Sequence, residues 1–324
     1  MKFIKFKPAY FERVWGGTKI ETMLKRDAGA HSAPIGESWE IADRPEAESV
    51  AVGGEFDGMA LAQILERRGS YIMGGEWRGG RFPVLVKWID AAQALSIQVH
   101  PSSESAKKLG AESKSENWFI ARAEPGASII AGFKAATESA GEESLSDGAW
   151  LRENLRQIDV CEGDSVFIRG GCVHAIGAGN LILEIQENSD TTYRLYDWDR
   201  LGSDGKPRAL HIKESAACID FSLSPQAVKT ARGAAVAPQA QNSGMLLCDF
   251  DLFEIRHIKM AKGAVLALAE GCAKIVSAVR GSLADSDGCM IGEFENALLP
   301  AGESAELQAE SDAEILLTKI KTEK

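Results

Sequence analysis

The sequence predicts a mainly β protein, built as a barrel or jelly roll with helical inserts. Short apolar segments of strand length recur along the chain, and several alternate apolar with polar residues. Turns that contain glycine, such as Glu162-Gly163-Asp164, separate these segments. Helical patterns are few and stand between groups of strands. Short strands with glycine turns are typical of barrels and jelly rolls.

The individual elements follow from apolar spacing and from the breakers between them. The predicted strands are 2–6, 37–42, 49–52, 82–89, 94–99, 165–168, 181–186 and 191–196, with further short strands over 245–320. The predicted helices are 20–25, 61–67, 150–156 and 210–219. The polar segment 135–147, rich in Glu, Ser and Gly, is expected to be a connection.

A group of potential metal ligands follows the strand at 94–99. Gln98 and His100 are two residues apart, so on a strand they share one face. Glu116 follows after a short loop, and His174 comes later, after a glycine turn. Two imidazoles, a carboxylate and an amide oxygen can bind a divalent ion such as zinc and leave room for water or substrate. Spacing alone leaves a metal site and ordinary hydrogen-bonded side chains equally open.

Two segments resemble each other and predict two units. Residues 161–171 lead to His174, and residues 296–302 lead to Ala305, which is equivalent to His174 when the glycines are aligned. Both segments resemble the second strand-and-turn motif of a cupin barrel, so we predict two cupin-like jelly-roll β-barrels, the second without a metal site. The predicted organisation is an N-terminal catalytic domain with helical inserts over 1–225, a linker over 226–242 and a degenerate C-terminal domain over 243–324.

Composition excludes several classes of partner. The chain has 36 basic and 47 acidic residues and a net charge of -11. We expect neither nucleic acid nor a membrane as partner, because both favour a basic surface. No apolar run approaches the roughly 20 residues of a membrane span, and the first residues lack a signal peptide's apolar core. The six cysteines form no Cys-x-x-Cys pair, so we expect reduced thiols and a cytoplasmic protein.

The order of the motifs is similar to that of a known family. They are Phe6-Lys7-Pro8, Trp15-Gly16-Gly17, Gly36-Glu37-Ser38-Trp39-Glu40, residues 95–101, Lys114-Ser115-Glu116-Asn117-Trp118, His174-Ala175-Ile176-Gly177 and residues 184–194. The set resembles the short bacterial form of type I phosphomannose isomerase, from about residue 7 to about residue 199 and more loosely to the C-terminus. One departure is Arg169-Gly170-Gly171, where the family commonly has Pro-Ala-Gly. We expect this change to make the turn more flexible.

The resemblance implies a zinc enzyme of the cupin superfamily that interconverts mannose 6-phosphate and fructose 6-phosphate, with one zinc ion per chain and a phosphorylated hexose as substrate. The matching site residues are Gln98, His100, Glu116 and His174 as zinc ligands, Arg194, Lys114 and Glu184 as catalytic residues, and Lys87 and Trp15 as substrate-binding residues.

The implied chemistry suits these residue types. Aldose–ketose isomerisation moves a proton between adjacent carbons through an enediol. Zinc can polarise the substrate oxygens, and cationic Arg194 and Lys114 can stabilise negative charge. The base stays open among Glu184, Lys114 and a zinc-bound water.

Structural interpretations of three of these residues compete with the functional ones. Glu184 could form an ion pair with a nearby arginine. Lys87 could be a lysine at a sheet edge. Arg194 could form a salt bridge with Asp197 or Asp199.

Two other functions compete with the isomerase. The first is a different metal-dependent cupin enzyme, such as an iron dioxygenase, which the Gln and Glu ligands disfavour. The second is a non-catalytic sugar-binding cupin, which retention of all four ligands and of Arg194 disfavours.

Overall fold

The computed structural model describes residues 2–135, 137–202, 205–230 and 244–322. The helices are α1 (Lys19–Thr22), α2 (Leu61–Met73), α3 (Ser103–Leu109), α4 (Glu142–Ser146), α5 (Gly148–Asn154) and α6 (Ile212–Cys218). The strands up to residue 133 are β1 (Lys5–Lys7), β2 (Ala9–Gly17), β3 (Ile35–Ile41), β4 (Asp43–Arg44), β5 (Ala47–Glu48), β6 (Val50–Val52), β7 (Val84–Ala91), β8 (Ile97–Val99), β9 (Glu116–Ala123) and β10 (Ser128–Phe133).

The later strands are again mostly short. They are β11 (Leu155–Asp159), β12 (Asp164–Ile168), β13 (Val173–Ile176), β14 (Asn180–Glu187), β15 (Tyr193–Tyr196), β16 (Val228–Lys229), β17 (Met245–Asp249), β18 (Phe253–Met260), β19 (Val265–Leu268), β20 (Lys274–Arg280), β21 (Leu283–Asp285), β22 (Met290–Ile291), β23 (Asn296–Leu299), β24 (Ala305–Ala309) and β25 (Ala313–Ile320). The predicted mainly β class with helical inserts is confirmed, whereas the pair of jelly-roll barrels stays a prediction.

The chain groups into two compact units. The central unit comprises residues 10–38 and 86–229, and the terminal unit comprises residues 1–9, 39–85 and 230–324. The predicted domain boundaries near residues 225 and 243 stay a prediction.

The central unit is built around two antiparallel sheets. One has the strand order β11-β10-β13-β8-β15, and the other has the order β16-β12-β9-β14-β7-β3-β2. An apolar cluster draws on both sheets and includes Trp118 and Ile182 from one and Ile129 and Ile176 from the other. Burial of this cluster accounts for the apolar runs seen in the sequence, and it fixes the register that positions polar residues at the site.

The terminal unit has its own apolar core. Its larger sheets have the strand orders β17-β18-β25-β20-β23 and β19-β24-β21-β22. Side chains such as Ile258, Leu266, Val276 and Leu317 form one buried cluster, and Ala305 belongs to it. The position equivalent to His174 is therefore part of an apolar core.

Most predicted elements are present, with three local differences. Leu155 and Arg156, predicted as helical, begin β11 instead, because α5 ends at Asn154. The segment expected to be a connection contains α4, whose buried Leu145 anchors a turn that starts with two glutamates.

The third difference concerns the predicted linker. It includes β16, and its residues 231–242 lie outside the described part of the chain. The sequence also did not predict α3, nor the strands β2, β4, β5, β9, β10 and β13.

All six cysteines are free, as expected. Within the described ranges, no helix is both long and apolar enough to cross a membrane.

Candidate active site

Three neighbouring strands bring polar side chains to one face of the five-stranded sheet of the central unit. Gln98 on β8 lies opposite His174 on β13 and opposite Arg194 on β15. Directly opposed residues of antiparallel strands share a face, so these three side chains form a row across the sheet. His100 directly follows β8, two residues after Gln98, and Glu116 is the first residue of β9.

His100, Glu116 and His174 form a fully buried group. The Glu116 carboxylate lies 3.4 Å from His100 Nε2 and 3.3 Å from His174 Nε2. The two imidazole rings are 4.7 Å apart between centroids. Lys114 Nζ lies 3.3 Å from Glu116 Oε2. Residues far apart in the sequence thus place two nitrogens and a carboxylate around one point.

The backbone fixes which nitrogen of each imidazole faces this point. His100 Nδ1 is 2.8 Å from the Thr191 carbonyl oxygen, and His174 Nδ1 is 2.9 Å from that of Cys172. A carbonyl oxygen only accepts, so each Nδ1 carries the proton and each neutral ring presents the Nε2 lone pair. Among the described residues, His100 Nε2 and Glu116 Oε2 have no hydrogen-bond partner.

Electrostatics favour a charge state that can bind metal. Burial lowers the pKa of His100 to about 3, and the Lys114 charge adds to the effect. Burial also lowers the pKa of His174. Burial alone would raise the pKa of Glu116, but Lys114, His100 and His174 together outweigh it and hold this pKa well below the usual range. At neutral pH the group therefore has two neutral imidazoles and one carboxylate, the forms in which these side chains bind metal.

The residues fit a zinc ion. Zinc bonds to His nitrogen and carboxylate oxygen are about 2.0–2.2 Å, so two ligand atoms of a tetrahedral site lie about 3.3 Å apart. Glu116 Oε2 lies 3.4 Å from His100 Nε2 and Glu116 Oε1 lies 3.3 Å from His174 Nε2, so each carboxylate oxygen matches one such edge. Buried acceptor atoms without a protein donor are what a cation would satisfy.

Gln98 lies beside the group but presents its nitrogen. Gln98 Nε2 is 3.3 Å from His174 Nε2, while Oε1 accepts from Ser96 Oγ at 3.1 Å. The two ends of an amide are nearly isosteric, and the choice between them follows from the neighbours. Rotation of the amide by a half turn places the oxygen towards the group, as metal binding requires.

The turn before His174 packs tightly on the segment that carries His100. Gly171 N donates to the His100 carbonyl oxygen at 2.7 Å. A Cβ on Gly170 would overlap the Pro101 carbonyl and lie 2.7 Å from Ser102 Cα. Glycine at 170 is thus required by a close backbone approach rather than by the flexibility expected from the sequence.

The group lies at a cavity of about 700 Å³ in the central unit. Lys87 and Glu184 form a buried ion pair in its wall, with Nζ 3.0 Å from Oε1. Trp118 Nε1 donates to Glu184 Oε2 at 2.9 Å. Burial and the nearby Glu116 charge raise the pKa of Glu184, although Lys87 opposes the shift.

Lys87 is not a lysine at a sheet edge, because its strand β7 lies between β14 and β3.

Arg194 also lines the cavity, together with Trp15. Its Nε donates to Ser96 Oγ at 3.3 Å and its Nη1 to the Ala209 carbonyl oxygen at 3.0 Å. Asp197 instead binds Arg200 and Arg208, which removes the expected alternative of an Arg194–Asp197 brace.

Among the described residues, Arg194 also forms no ion pair with Asp199, the other salt-bridge partner considered for it. The Tyr196 hydroxyl donates to the Asp199 carboxylate at 2.7 Å.

Three cavity residues were missed as site residues. Arg13 Nε donates to Glu37 Oε1 at 2.9 Å, and Glu37 Oε2 lies 3.9 Å from Lys87 Nζ. Arg208 lines the cavity from the segment after β15. Glu37 stands within the Gly-Glu-Ser-Trp-Glu motif, which was the available signal. For Arg13 and Arg208 no local pattern distinguishes them from surface arginines.

A β-rich protein with a His/Glu/His group at a cavity belongs by architecture to the cupin fold class, and the comparisons with known proteins define it further. The sequence model "Phosphomannose isomerase type I, catalytic domain" matches residues 3–136. Mannose-6-phosphate isomerase ManA of Bacillus subtilis is 40% identical over 225 residues, which cover 68% of this chain and 69% of that protein. Mannose-6-phosphate isomerase of Streptococcus mutans is 36% identical over 205 residues, 63% of either chain.

Solved structures agree. The crystal structure of mannose 6-phosphate isomerase from Bacillus subtilis superimposes with a TM-score of 0.83 and 27% identity, over 98% of this chain and 99% of that one. A putative mannosephosphate isomerase from Archaeoglobus fulgidus, at 22% identity and a TM-score of 0.75, shares the fold. The chain belongs to the type I phosphomannose isomerase family. The resemblance seen in its motifs is confirmed, and so is the predicted enzyme class.

Proposed function

We propose that this enzyme interconverts mannose 6-phosphate and fructose 6-phosphate through an enediol intermediate, with one zinc ion bound in the cavity of the central unit. The observation that carries the proposal is the buried His100–Glu116–His174 group, whose ligand atoms all lie within 4.8 Å of one another and whose Glu116 and His174 line the cavity. The relatives named mannose-6-phosphate isomerase support the choice of substrate.

His100, Glu116 and His174 would hold the ion, with the Gln98 amide oxygen as a fourth ligand. When bound, zinc supplies Lewis-acid polarisation of the substrate oxygens. The hydrogen bonds from the imidazoles to the Thr191 and Cys172 carbonyls keep both rings oriented for this task.

Glu184 is the side chain best placed to carry the proton between the two carbons. It lines the cavity, and its pKa is raised by burial and by the Glu116 charge, so it can take up a proton more readily than an exposed glutamate. Trp118 and Lys87 hold its two oxygens in place. Lys114, whose Nζ lies 3.3 Å from Glu116 Oε2, remains the competing base.

Lys114 and Arg194 would stabilise negative charge on the substrate oxygens as the enediol forms. Both line the cavity, and neither needs to move from an exposed position to reach it. Fixed cations in a cavity with little water stabilise such charge more strongly than they would in bulk water.

A coupled assay with mannose 6-phosphate tests the proposal. We expect turnover by the purified protein, loss of turnover after a chelator, and recovery on adding zinc. Elemental analysis of the same preparation identifies the metal. Undiminished turnover by fully chelated protein would contradict the metal dependence, and absence of turnover by metal-loaded protein would contradict the reaction. A Glu184→Gln variant should bind the metal normally and lose turnover, whereas an active variant would leave Lys114 or a zinc-bound water as the base.

A further inference from the structure

Asp197 fixes an arginine at the wall of the same cavity. Asp197 Oδ2 accepts from Arg208 Nε at 2.7 Å, and Oδ1 accepts from Arg208 Nη2 at 2.6 Å. Arg200 Nη2 donates to the same Oδ1 at 2.6 Å. The Arg208 guanidinium is thus held side-on by a carboxylate that is itself buried. A bidentate pair of this kind sets the direction of the planar group.

The remaining donors of Arg208 are not used by the part of the chain that the structure describes. A guanidinium has five N–H groups, and Asp197 takes one on Nε and one on Nη2. Two N–H groups on Nη1 and one on Nη2 are left on the adjacent edge. Arg208 lines the cavity, so this edge belongs to a side chain that a ligand can reach.

The charge around Asp197 is positive. Arg194, Arg200 and Arg208 interact electrostatically in one group, in which Asp197 is the carboxylate, and Arg194 and Arg208 line the cavity. Three cations against one anion leave about two positive charges uncompensated among these described residues. Glu184 and Glu116, elsewhere in the lining, are each paired with a lysine, Lys87 or Lys114. Arg194 and Arg208 are therefore cavity cations outside those two ion pairs.

We propose that the free edge of Arg208 binds the phosphate group of the substrate, and that Asp197 is the positioning residue that aims it. The proposal rests on the proposed function and deepens it, because it assigns the two ends of a sugar phosphate to two parts of the cavity lining. A phosphate dianion has several acceptor oxygens, and the paired N–H groups of an arginine edge match two of them. The reacting carbons then lie towards Glu184 and the His/Glu/His group.

Steady-state kinetics of Arg208→Gln tests the assignment. Losing a charge-assisted contact to phosphate should raise KM for mannose 6-phosphate by about 10- to 100-fold, with a much smaller change in kcat. Inhibition by inorganic phosphate should weaken by a similar factor. Arg122→Gln is the control for loss of an arginine outside the site, because Arg122 lies on β9 and does not line the cavity. We expect its KM and its phosphate inhibition to equal those of the wild-type protein.

Arg208→Lys supplies the same comparison if Arg208→Gln does not fold. It keeps the charge beside Asp197, but one ammonium cannot hold Asp197 and present a two-donor edge, so its KM must also rise. A wild-type KM and wild-type phosphate inhibition in an Arg208 variant would overturn the phosphate assignment alone. Absence of turnover by the wild-type protein would overturn the proposed function as well, and this measurement comes first.

Discussion

Replacing Arg194 by lysine separates a role in turnover from a role in metal binding. The guanidinium is anchored by two hydrogen bonds, from Nε to Ser96 Oγ and from Nη1 to the Ala209 carbonyl, and it still lines the cavity. Lysine keeps the charge but has only one nitrogen. That nitrogen cannot hold Ser96 and Ala209 and also face the substrate.

The expected loss follows from the number of donors removed. Loss of one well-placed electrostatic donor lowers kcat by about 100- to 1,000-fold. Because the charge is retained, we expect kcat/KM to fall by about 100-fold or somewhat more. The zinc content should be unchanged, because within the described part of the chain Arg194 forms no hydrogen bond or ion pair with His100, Glu116 or His174.

Metal content and steady-state kinetics are measured on one preparation. Arg122→Lys is a suitable control, since Arg122 lies on β9 but not at the cavity. Wild-type kinetics in Arg194→Lys would show that the residue is a structural brace. Loss of zinc from the variant would show that it supports the metal ligands instead.

Four further predictions concern the metal, the buried charges and pH. His174→Ala should lose the bound metal and the activity while its far-UV circular dichroism stays that of a folded protein, so full activity in a metal-free variant would refute the site. Metal analysis should give about one ion per chain, because Ala305, the position equivalent to His174 in the terminal unit, lies in an apolar core. A value near two ions per chain would contradict this prediction. Lys87→Met leaves the Glu184 carboxylate buried without its cation and should lower the free energy of unfolding in urea by about 3–5 kcal/mol, and adding Glu184→Gln should restore part of it. Burial raises the pKa of Asp197, but hydrogen bonds from Arg200 and Arg208 outweigh this effect and lower the pKa. The Asp197 carboxylate therefore contributes its full stabilisation above the pKa of an unfolded aspartate, about 3.9, and loses it as pH falls through the lower pKa of the folded state. The difference in unfolding free energy between wild type and Asp197→Asn should thus disappear in acid.

The fold class and the His/Glu/His group could be predicted because strands alternate their side chains with a period of two, which is visible in the sequence. The spacing of Gln98 and His100 on a strand carries over directly to three dimensions, and strand register then brings His174 beside them. Trp118 and Glu184 also come from motifs that were recognised. Their hydrogen bond was not predicted, because the pairing of β9 with β14 is a long-range contact.

The sequence could not predict where isolated charged residues lie in the folded protein. Arg13 and Arg208 have the same local appearance as surface arginines, and only the tertiary structure places them at the cavity. The helix α3 and the strand β9 were missed for a related reason, since the short segment between His100 and Glu116 carries polar residues that also suit a loop. In the structure Ser102 caps the start of that helix by accepting from Ser105 N, Gly110 ends it in a left-handed conformation, and Ala106 is buried.

The close approach of Gly170 to Pro101 and Ser102 bears on how this enzyme can diverge from its relatives. An alanine, common at this position in the family, would here push against the backbone that carries His100. The two segments are therefore expected to covary, so that alanine at 170 accompanies a shifted path after His100. Gly170→Ala made alone would change residue 170 without the matching change in the backbone at 101–102. The order in which the two changes arise therefore decides whether each is tolerated.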